Sequence, residues 1–351
     1  MGKITQIEIN EVEKWNDCVR SFSHYDVFYL PEYVLAFMNE DKKNGIPLLL
    51  LYENEKDRAI NVVFKRDVAL DGNFRGKISE GKYYDLISPY GYGGFMGDIA
   101  DYNALNKTYN EFCAARNYVC EFVRFELFGD YHAHYDGEVE SRTHNVVRNL
   151  EMSLDDIWMD FKQKVRKNVK RANQNNLEII IENTDDHLQE FLDIYYSTMD
   201  RSNAEREYYF TKAFYDTLNQ MHDNIMYFHV MSEGKIISTE LVIYGSENCY
   251  SYLGGTNSDY FDLRPNDFLK YEIIKWAKGK GLKNFVLGGG YGADDGIFQY
   301  KTYLAPHGIV DFYIGRKIFD TATYQELVNI RSKDSMEVLN TKFFPVYRGG
   351  G

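Results

Sequence analysis

Short apolar runs bounded by polar or glycine-rich stretches follow one another along the first half of the chain. Apolar runs of roughly four to eight residues favour strands, whereas an apolar stripe at every third or fourth position indicates a helix. The pattern predicts a helix at 31–39, strands at 47–52, 59–65 and 82–88, a helix at 101–116 and a strand at 119–128. The third strand ends in a glycine-rich loop, and the succession of strand, loop, helix and strand indicates an α/β fold.

The second half repeats this order of elements. The pattern predicts helices at 155–174, 186–199, 211–221, 265–280 and 296–303, and strands at 177–182, 225–231, 235–244, 249–253, 284–287 and 309–318. Three features occur in the same order in both halves: a hairpin, a strand that enters a glycine loop, and a strand that follows the long helix. Few residues are identical between them, so this is a repeat of pattern and not of sequence.

The size and charge of the chain limit the functions that it can have. At 351 residues it exceeds the size at which one hydrophobic core usually stops growing, which predicts two domains. Its net charge of −13 argues against DNA or an anionic membrane surface as a partner. No apolar stretch is long enough to span a bilayer or to form the core of a signal peptide, so we expect a cytoplasmic protein without stable membrane insertion.

The sequence does not predict a metal or disulfide site. The four cysteines contain no CxxC pair, which argues against a zinc cluster or a disulfide framework. His132 and His134 lie close together, but no third ligand follows at a useful spacing, and a polar loop is the better interpretation.

The predicted helix at 155–174 is strongly amphipathic. Its apolar face carries Trp158, Phe161 and Val165, and lysines and arginines, including Arg166, cover the rest of its surface. These basic residues form either a solvated face or an electropositive wall for a phosphorylated or nucleotide-linked substrate, because arginine pairs bidentately with phosphate.

The segment 287–301, LGGGYGADDGIFQYK, carries the strongest functional signal. It superficially matches a dinucleotide fingerprint, but too few residues follow it to form the required βαβαβ unit. The glycines therefore form either a tight turn or a loop whose backbone N–H groups bind a ligand. Asp295 is placed to cap the next helix or to act as a base, and Lys301 either snorkels at the surface or points into a cleft.

Glu240 interrupts the apolar strand at 235–244. A carboxylate in such a strand lies on a wet face or acts as a general base.

Several short motifs, taken in chain order, resemble the Fem family of non-ribosomal aminoacyl transferases and its acetyltransferase (GNAT) relatives. They are YLPEY at 29–33, SPYGYGG at 88–94, KVRKNVKRA at 164–172, TMDR at 198–201, LGG at 253–255, Arg264-Pro265, and LGG to FQYK between 287 and 301. The glycine-rich strand end followed by an aromatic residue and lysine is the most specific of them.

The resemblance implies an α/β (α+β) protein of two tandem GNAT-like (acyl-CoA N-acyltransferase) domains with mixed central sheets. We place an N-terminal domain at 1–150 and a C-terminal domain, with a C-terminal helical tail, at 151–351. The implied activity is transfer of an acyl or aminoacyl group onto an amine of a cell-wall (peptidoglycan) precursor. The acyl donor is either aminoacyl-tRNA or acyl-CoA, no cofactor is bound tightly, and the chain is a monomer or a homodimer.

The resemblance also assigns candidate roles to residues. Lys301 steadies the acyl donor or the developing charge, and Arg201, Tyr208 and Tyr209 help to hold the acceptor. For a direct acyl transfer, we expect Glu240 or Asp295 to accept the proton. The other substrate-binding candidates are Tyr90, Tyr92, Arg166, Tyr252, Gly254, Gly255, Gly288, Gly289, Gly290 and Tyr291.

Two other functions stay open at this stage. One is acyl-CoA-dependent acylation of an amino sugar or a surface-polysaccharide precursor, and the other is a non-catalytic binding or scaffold role.

Overall fold

The computed structural model describes residues 2–40, 45–290, 296–334, 340 and 342–349. Its strands are β1 Lys3–Glu8, β2 Ile46–Glu53, β3 Arg58–Asp67, β4 Tyr84–Ile87, β5 Met96–Asp98, β6 Tyr118–Arg124, β7 Glu138–Asn149, β8 Glu178–Glu182, β9 Ile225–Ser232, β10 Lys235–Tyr244, β11 Asn248–Thr256, β12 Asn284–Gly288 and β13 Ile309–Ile318. Its α-helices are α1 Val12–Arg20, α2 Pro31–Glu40, α3 Tyr102–Ala114, α4 Tyr131–His134, α5 Leu154–Asp160, α6 Gln163–Gln174, α7 Leu188–Ser202, α8 Lys212–Leu218, α9 Pro265–Gly279, α10 Gly296–Leu304 and α11 Thr321–Asp334.

The chain divides into two units. Unit 1 contains the described residues of 1–23, 28–142 and 312–351, and unit 2 contains 24–27 and 143–311. The sequence predicted a boundary near 150 with everything beyond it in the second domain. The structure instead returns the C-terminal part of β13 and helix α11 to unit 1, because residues 314–318 pair antiparallel with β6.

The two units share one strand order. Unit 1 has the order β1-β2-β3-β4-β6-β13, and unit 2 has the matching order β8-β9-β10-β11-β12-β7. In each unit one parallel pair, β4 with β6 or β11 with β12, stands among antiparallel pairs, and a helix connects its two strands. A parallel pair needs such a crossover. The predicted fold class, α/β with mixed sheets in two similar halves, is confirmed.

The amphipathic segment at 155–174 is two helices rather than one. Its predicted apolar face is buried at Phe161, Val165 and Val169, but the helix breaks at Phe161 and Lys162, which have extended backbone angles. The backbone N–H of Lys162 donates to the carbonyl of Tyr303 at 3.0 Å, a tertiary contact that local periodicity does not reveal.

Among the residues that the structure describes, no helix combines the length and the apolar character needed to cross a membrane.

Asp85 is the centre of a buried ionic cluster in unit 1. Its carboxylate accepts hydrogen bonds from Nε of Arg66 and Nε of Arg348, both at 2.6 Å, and from the hydroxyl of Tyr347 at 3.0 Å. Burial opposes ionisation of Asp85, but the two guanidinium groups outweigh it and hold the pKa of this carboxyl below its usual value. The cluster therefore ties β3 and β4 to the C-terminal segment of the chain.

We expect Asp85→Asn to lower the stability of unit 1 by about 3 kcal/mol at neutral pH, because two buried guanidinium groups would lose their counter-charge. Because the folded pKa is depressed, this stabilisation is present above the unfolded value, about 3.9, and is lost as the pH falls through the folded value. Thermal denaturation at a series of pH values measures the difference between variant and wild type, which should shrink as the pH is lowered below about 4.

The exposed Asp98→Asn in the same unit serves as the control and should change little at any pH. A difference between Asp85→Asn and wild type that is independent of pH would show that the charge of Asp85 does not stabilise the cluster.

Candidate active site

A cavity of about 560 Å³ lies in unit 2. Residues of β10, β11, α6, α7, α9 and α10 and of the segment before α9 line it. All of these lining residues belong to unit 2.

The cavity opens where two parallel strands separate. β11 pairs with β12 only at residues 248–250, opposite 284–286, and then continues to Thr256 without β12 beside it. Residues 251–256, which follow the last pair, line the cavity. This edge of β11 therefore presents backbone groups that β12 does not pair, and such groups can bind a ligand.

A β-bulge shapes the same stretch of β11. Leu253 lies opposite Leu241 and Ser251 lies opposite Val242, so Tyr252 is an extra residue on its strand. Bulges bend a strand and redirect its side chains, and they are common beside active sites. The predicted substrate-binding residue Tyr252 therefore lies on the cavity wall at an irregular position of the strand.

Gly254 and Gly255 bring β11 close to its neighbours. A Cβ on Gly254 would lie 2.7 Å from the carbonyl oxygen of Thr239, and a Cβ on Gly255 would lie 2.9 Å from the carbonyl oxygen of Ile194 and even closer to Thr198. Both distances are shorter than a side chain tolerates. The predicted LGG motif is thus explained by packing of β11 against β10 and α7, and both glycines also line the cavity.

A buried ion pair lies in the cavity wall. Nζ of Lys270 on α9 donates to Oε2 of Glu240 on β10 at 2.5 Å and to the hydroxyl of Ser251 at 2.7 Å. Both charged side chains are at most 10% exposed. The other oxygen of the Glu240 carboxylate is buried and has no hydrogen-bond partner among the described residues. Glu240 therefore lies at a buried, charge-compensated position and not on an exposed face of the strand.

A second carboxylate, that of Asp267, lies one turn before Lys270 on α9. Oδ2 of Asp267 accepts a hydrogen bond from the amide of Asn168 at 2.7 Å. Burial raises the pKa of Asp267, and burial together with the nearby Asp267 carboxyl raises the pKa of the Tyr300 hydroxyl well above its usual value. The two side chains therefore form a polar group on the cavity wall in which Tyr300 stays protonated.

Among the described residues that line the cavity, cationic side chains outnumber acidic ones. Lys164, Arg201, Arg264 and Lys301 line it in addition to Lys270, against the carboxylates of Glu240 and Asp267. Helix α9 also begins here, with Pro265 at its first position. The N-terminus of a helix and nearby cations favour an anion such as phosphate. The site is thus locally suited to an anionic ligand although the chain is acidic overall.

Lys301 is linked to the glycine loop that precedes its helix. Its Nζ donates to the carbonyl of Gly289 at 2.6 Å, and Gly288 has a φ of +84°, which favours glycine. Gly288 thus has the left-handed conformation that the turn interpretation requires, and the carbonyl of Gly289 positions the lysine at the cavity. Gly290 follows in the same loop. Tyr291 and Asp295, both predicted site residues, lie outside the described residues.

The structure brings six of the predicted site residues together at the cavity. They are Arg201, Glu240, Tyr252, Gly254, Gly255 and Lys301. Arg201 donates to the carbonyl of Thr256 at 3.3 Å, and its guanidinium lies 5.2 Å from the centre of the Phe261 ring.

Other predicted site residues have packing roles away from the cavity. Nη1 of Arg166 donates to the carbonyls of Met159 and Phe161, at 2.6 and 2.8 Å, so this guanidinium caps the end of α5. The backbone carbonyl of Tyr208 accepts from Tyr195, and the hydroxyl of Tyr209 donates to Asp200.

Tyr90 and Tyr92 lie in unit 1. The ring of Tyr90 lies 5.6 Å from that of Phe37, and the ring of Tyr92 lies 5.2 Å from that of Phe28. They belong to an aromatic cluster of that unit.

Three residues that line the cavity, Lys270, Asp267 and Asn168, were not predicted from the sequence. A signal for Lys270 was present, because it lies three, four and seven residues before Ile273, Ile274 and Ala277, which are all buried. A lysine on the apolar stripe of a helix must find a buried partner. The partner, Glu240, lies thirty residues away on a strand, and the sequence does not reveal that pairing.

We expect Lys270→Met to destabilise unit 2 by about 3 kcal/mol, because it leaves the buried Glu240 carboxylate without its counter-charge. Adding Glu240→Gln removes that charge and should recover part of the loss. Thermal denaturation of the single and double variants measures the coupling. Lys275→Met, on the exposed face of the same helix, is the control and should change stability by less than about 0.5 kcal/mol. Additive effects of the two substitutions would contradict a functional ion pair.

Comparison with known proteins finds a domain match in unit 2. Residues 159–302 match the family model described as an acetyltransferase (GNAT) domain, and this range contains every lining residue of the cavity except Tyr303.

A lipid II:glycine glycyltransferase from Staphylococcus haemolyticus is 27% identical over 99 residues, which cover 28% of this chain and 24% of that protein. The matched part thus spans about a quarter of the curated relative.

Two crystal structures show the same fold over nearly the whole chain. FemX aligns with a TM-score of 0.69 at 13% identity, covering 92% of this chain and 99% of FemX. A conserved protein of unknown function from Bacteroides thetaiotaomicron aligns with a TM-score of 0.58 at 12% identity, covering 90% and 99%. The shared fold and the domain match together confirm the resemblance that was predicted from the sequence. This chain has the FemX fold, carries a GNAT domain in its second unit and is similar to the Fem-type transferases.

Proposed function

We propose that this chain is a transferase that moves an aminoacyl group onto an amine of a peptidoglycan precursor. The observation that carries the proposal is a cation-lined cavity inside the GNAT domain, opened by the separation of β11 from β12. The matched relative is a lipid II:glycine glycyltransferase, which supports both an aminoacyl group and a cell-wall acceptor.

The proposed reaction is a direct transfer without a covalent enzyme intermediate. The nitrogen of the deprotonated acceptor amine attacks the acyl carbonyl and forms the new amide bond. The bond from the carbonyl carbon to the donor oxygen breaks, and the donor leaves with a proton. Holding the two reactants together in this cavity supplies several kcal/mol of the barrier reduction.

Two features of the site would stabilise the negative charge that develops on the carbonyl oxygen. One is the ammonium group of Lys301, held by the carbonyl of Gly289. The other is the edge of β11 beyond Tyr250, which β12 does not pair. Preorganised donors of this kind give the largest single contribution in many acyl transfers.

A buried carboxylate supports an amine as a substrate. Glu240 lines the cavity, and its Oε1 atom is buried without a hydrogen-bond partner among the described residues. Buried acceptors without partners are rare, and the amine of an acceptor would satisfy this one. The similarity to a glycyltransferase of the Fem type favours aminoacyl-tRNA as the donor, and therefore the cytoplasm, where charged tRNA is available, as the place of the reaction. In this scheme Glu240 orients the amine and accepts its proton, directly or through water.

A second candidate is acyl-CoA-dependent acylation of an amino sugar or polysaccharide precursor. The acetyltransferase description of the matched domain favours it, as do Arg264 and the N-terminus of α9, which suit a pyrophosphate as well as an RNA backbone.

One experiment can identify both the acyl donor and the acceptor. The purified chain is incubated with aminoacyl-tRNA or acetyl-CoA, and with lipid II, a UDP-linked muramyl peptide or a UDP-linked amino sugar. The product is detected by mass spectrometry. We expect an aminoacyl adduct of a peptidoglycan precursor that disappears after ribonuclease treatment of the donor. A product from acetyl-CoA alone would support the second candidate, and no product from any pair would support a binding or scaffold role.

Lys301→Ala should lower kcat by roughly 100-fold or more, because it removes a preorganised positive charge at the developing oxyanion. The melting temperature should hardly change, since the Lys301 side chain is only partly buried. Lys280→Ala, at the exposed end of α9, is the matched control and should retain wild-type turnover. Wild-type activity in Lys301→Ala would overturn the assignment.

A further inference from the structure

Three side chains that the proposed reaction does not use come together at the edge of the unit 2 sheet. Glu182 is the last residue of β8, His229 lies in β9, and His187 directly precedes α7. In the antiparallel pairing of β8 with β9, Glu182 lies opposite Tyr227 and Ile180 lies opposite His229. Glu182 and His229 therefore project from the same face of the sheet on neighbouring strands.

The ligand atoms of these residues are close to one another. Nδ1 of His187 lies 2.9 Å from Oε1 of Glu182, and Nε2 of His229 lies 3.5 Å from the same oxygen. All three atoms lie within 4.8 Å of one another. Ligand atoms of a tetrahedral zinc ion are about 3.3 Å apart, given zinc–ligand distances near 2.0 Å. The two distances to the Glu182 oxygen, 2.9 and 3.5 Å, thus bracket this value. The His187 side chain is 32% exposed, so it has room to rotate towards an ion.

His229 supplies an independent observation. Its side chain is only 1% exposed, and its Nε2 atom has no hydrogen-bond partner among the described residues. Nδ1 of the same ring lies 2.8 Å from the hydroxyl of Thr239. When Nδ1–H donates to Thr239, the lone pair of Nε2 is directed towards Glu182 and is available to a ligand. Metal-binding histidines commonly use their second ring nitrogen in this way.

We propose that Glu182, His187 and His229 form a binding site for one divalent transition-metal ion, of which Zn²⁺ is the best match. Two imidazole nitrogens and one carboxylate suit zinc, whereas calcium and magnesium prefer oxygen ligands alone. Three protein ligands leave a fourth position for a solvent molecule. The ion links β8, β9 and the start of α7.

The ion would act at a distance from the acyl-transfer chemistry. Thr239, which contacts His229, also lines the substrate cavity and lies opposite Gly255 in β11. Metal binding thus fixes His229 and, through the contact with His229, Thr239 of the cavity wall. The main effect of the ion is on the stability of unit 2. The proposal does not depend on the identity of the acyl donor or acceptor.

The test uses the full chain without an affinity tag, first treated with a chelator and then equilibrated with ZnCl₂. We expect one zinc ion per chain by elemental mass spectrometry, a rise in melting temperature with zinc, and d–d absorption of four-coordinate cobalt when CoCl₂ is used instead. His187→Ala and Glu182→Gln should each weaken zinc binding by more than about 100-fold, since even changes in residues around the ligands cost 10–100-fold. Competition with a chromophoric chelator measures the affinity.

Two controls make the outcome decisive. His222→Ala removes an exposed histidine outside the cluster and should leave zinc binding unchanged. Lys301→Ala should lower the rate of acyl transfer by roughly 100-fold or more but retain zinc binding, which separates this proposal from the proposed function. Substoichiometric zinc in the wild type, or equal zinc affinity in His187→Ala, Glu182→Gln and wild type, would overturn the site and leave a Glu182–His187 hydrogen bond as the role of the cluster.

Discussion

The early separation of β11 from β12 is the constraint on which the candidate site depends. Three paired residues hold the two strands together, and beyond Tyr250 the edge of β11 leaves its neighbour. A strand edge inside a protein needs other partners, because unpaired backbone groups are costly when buried. In this molecule the edge borders a cavity, so a substrate can take the place of the missing strand.

Several otherwise unrelated features maintain this geometry. Gly254 and Gly255 let β11 pack against β10 and α7 more closely than any side chain would permit. The bulge at Tyr252 bends the strand at the same place. Lys270 joins α9 to both β10 and β11 through Glu240 and Ser251. The glycines, the bulge and the ion pair thus act together, because each fixes the position of β11 relative to a different neighbour.

The side chains of two adjacent β10 residues make contacts on opposite faces of the sheet. The side chain of Glu240 contacts Lys270 on α9, whereas that of Thr239 contacts His229 on β9. Successive side chains of a strand point to opposite faces, so one strand connects the cavity chemistry to the Glu182–His187–His229 cluster. The net charge of −13 for the whole chain does not predict the local charge at either site. The cavity is lined mainly by cationic side chains, and the cluster combines one carboxylate with two imidazole groups.

Hydrophobic periodicity by itself determined most strands and helices, because burial on one face of an element is a local property of the sequence. It also indicated the repeat of two halves, and the glycine motifs pointed to Gly254, Gly255 and Lys301. The helical periodicity of 155–174 is continuous and does not indicate the break at Phe161. β7 contains many charged residues, so its sequence does not show the pattern of a strand.

Only the tertiary structure decided which distant residues meet. Strand pairing returned the end of the chain to unit 1, placed Lys270 against Glu240, and brought His229 to Glu182 and His187. The same packing turned Arg166 into a helix cap and placed Tyr90 and Tyr92 in an aromatic cluster of unit 1. These outcomes depend on strand order and register, which are set by the whole sheet, and no local stretch of sequence contains that information.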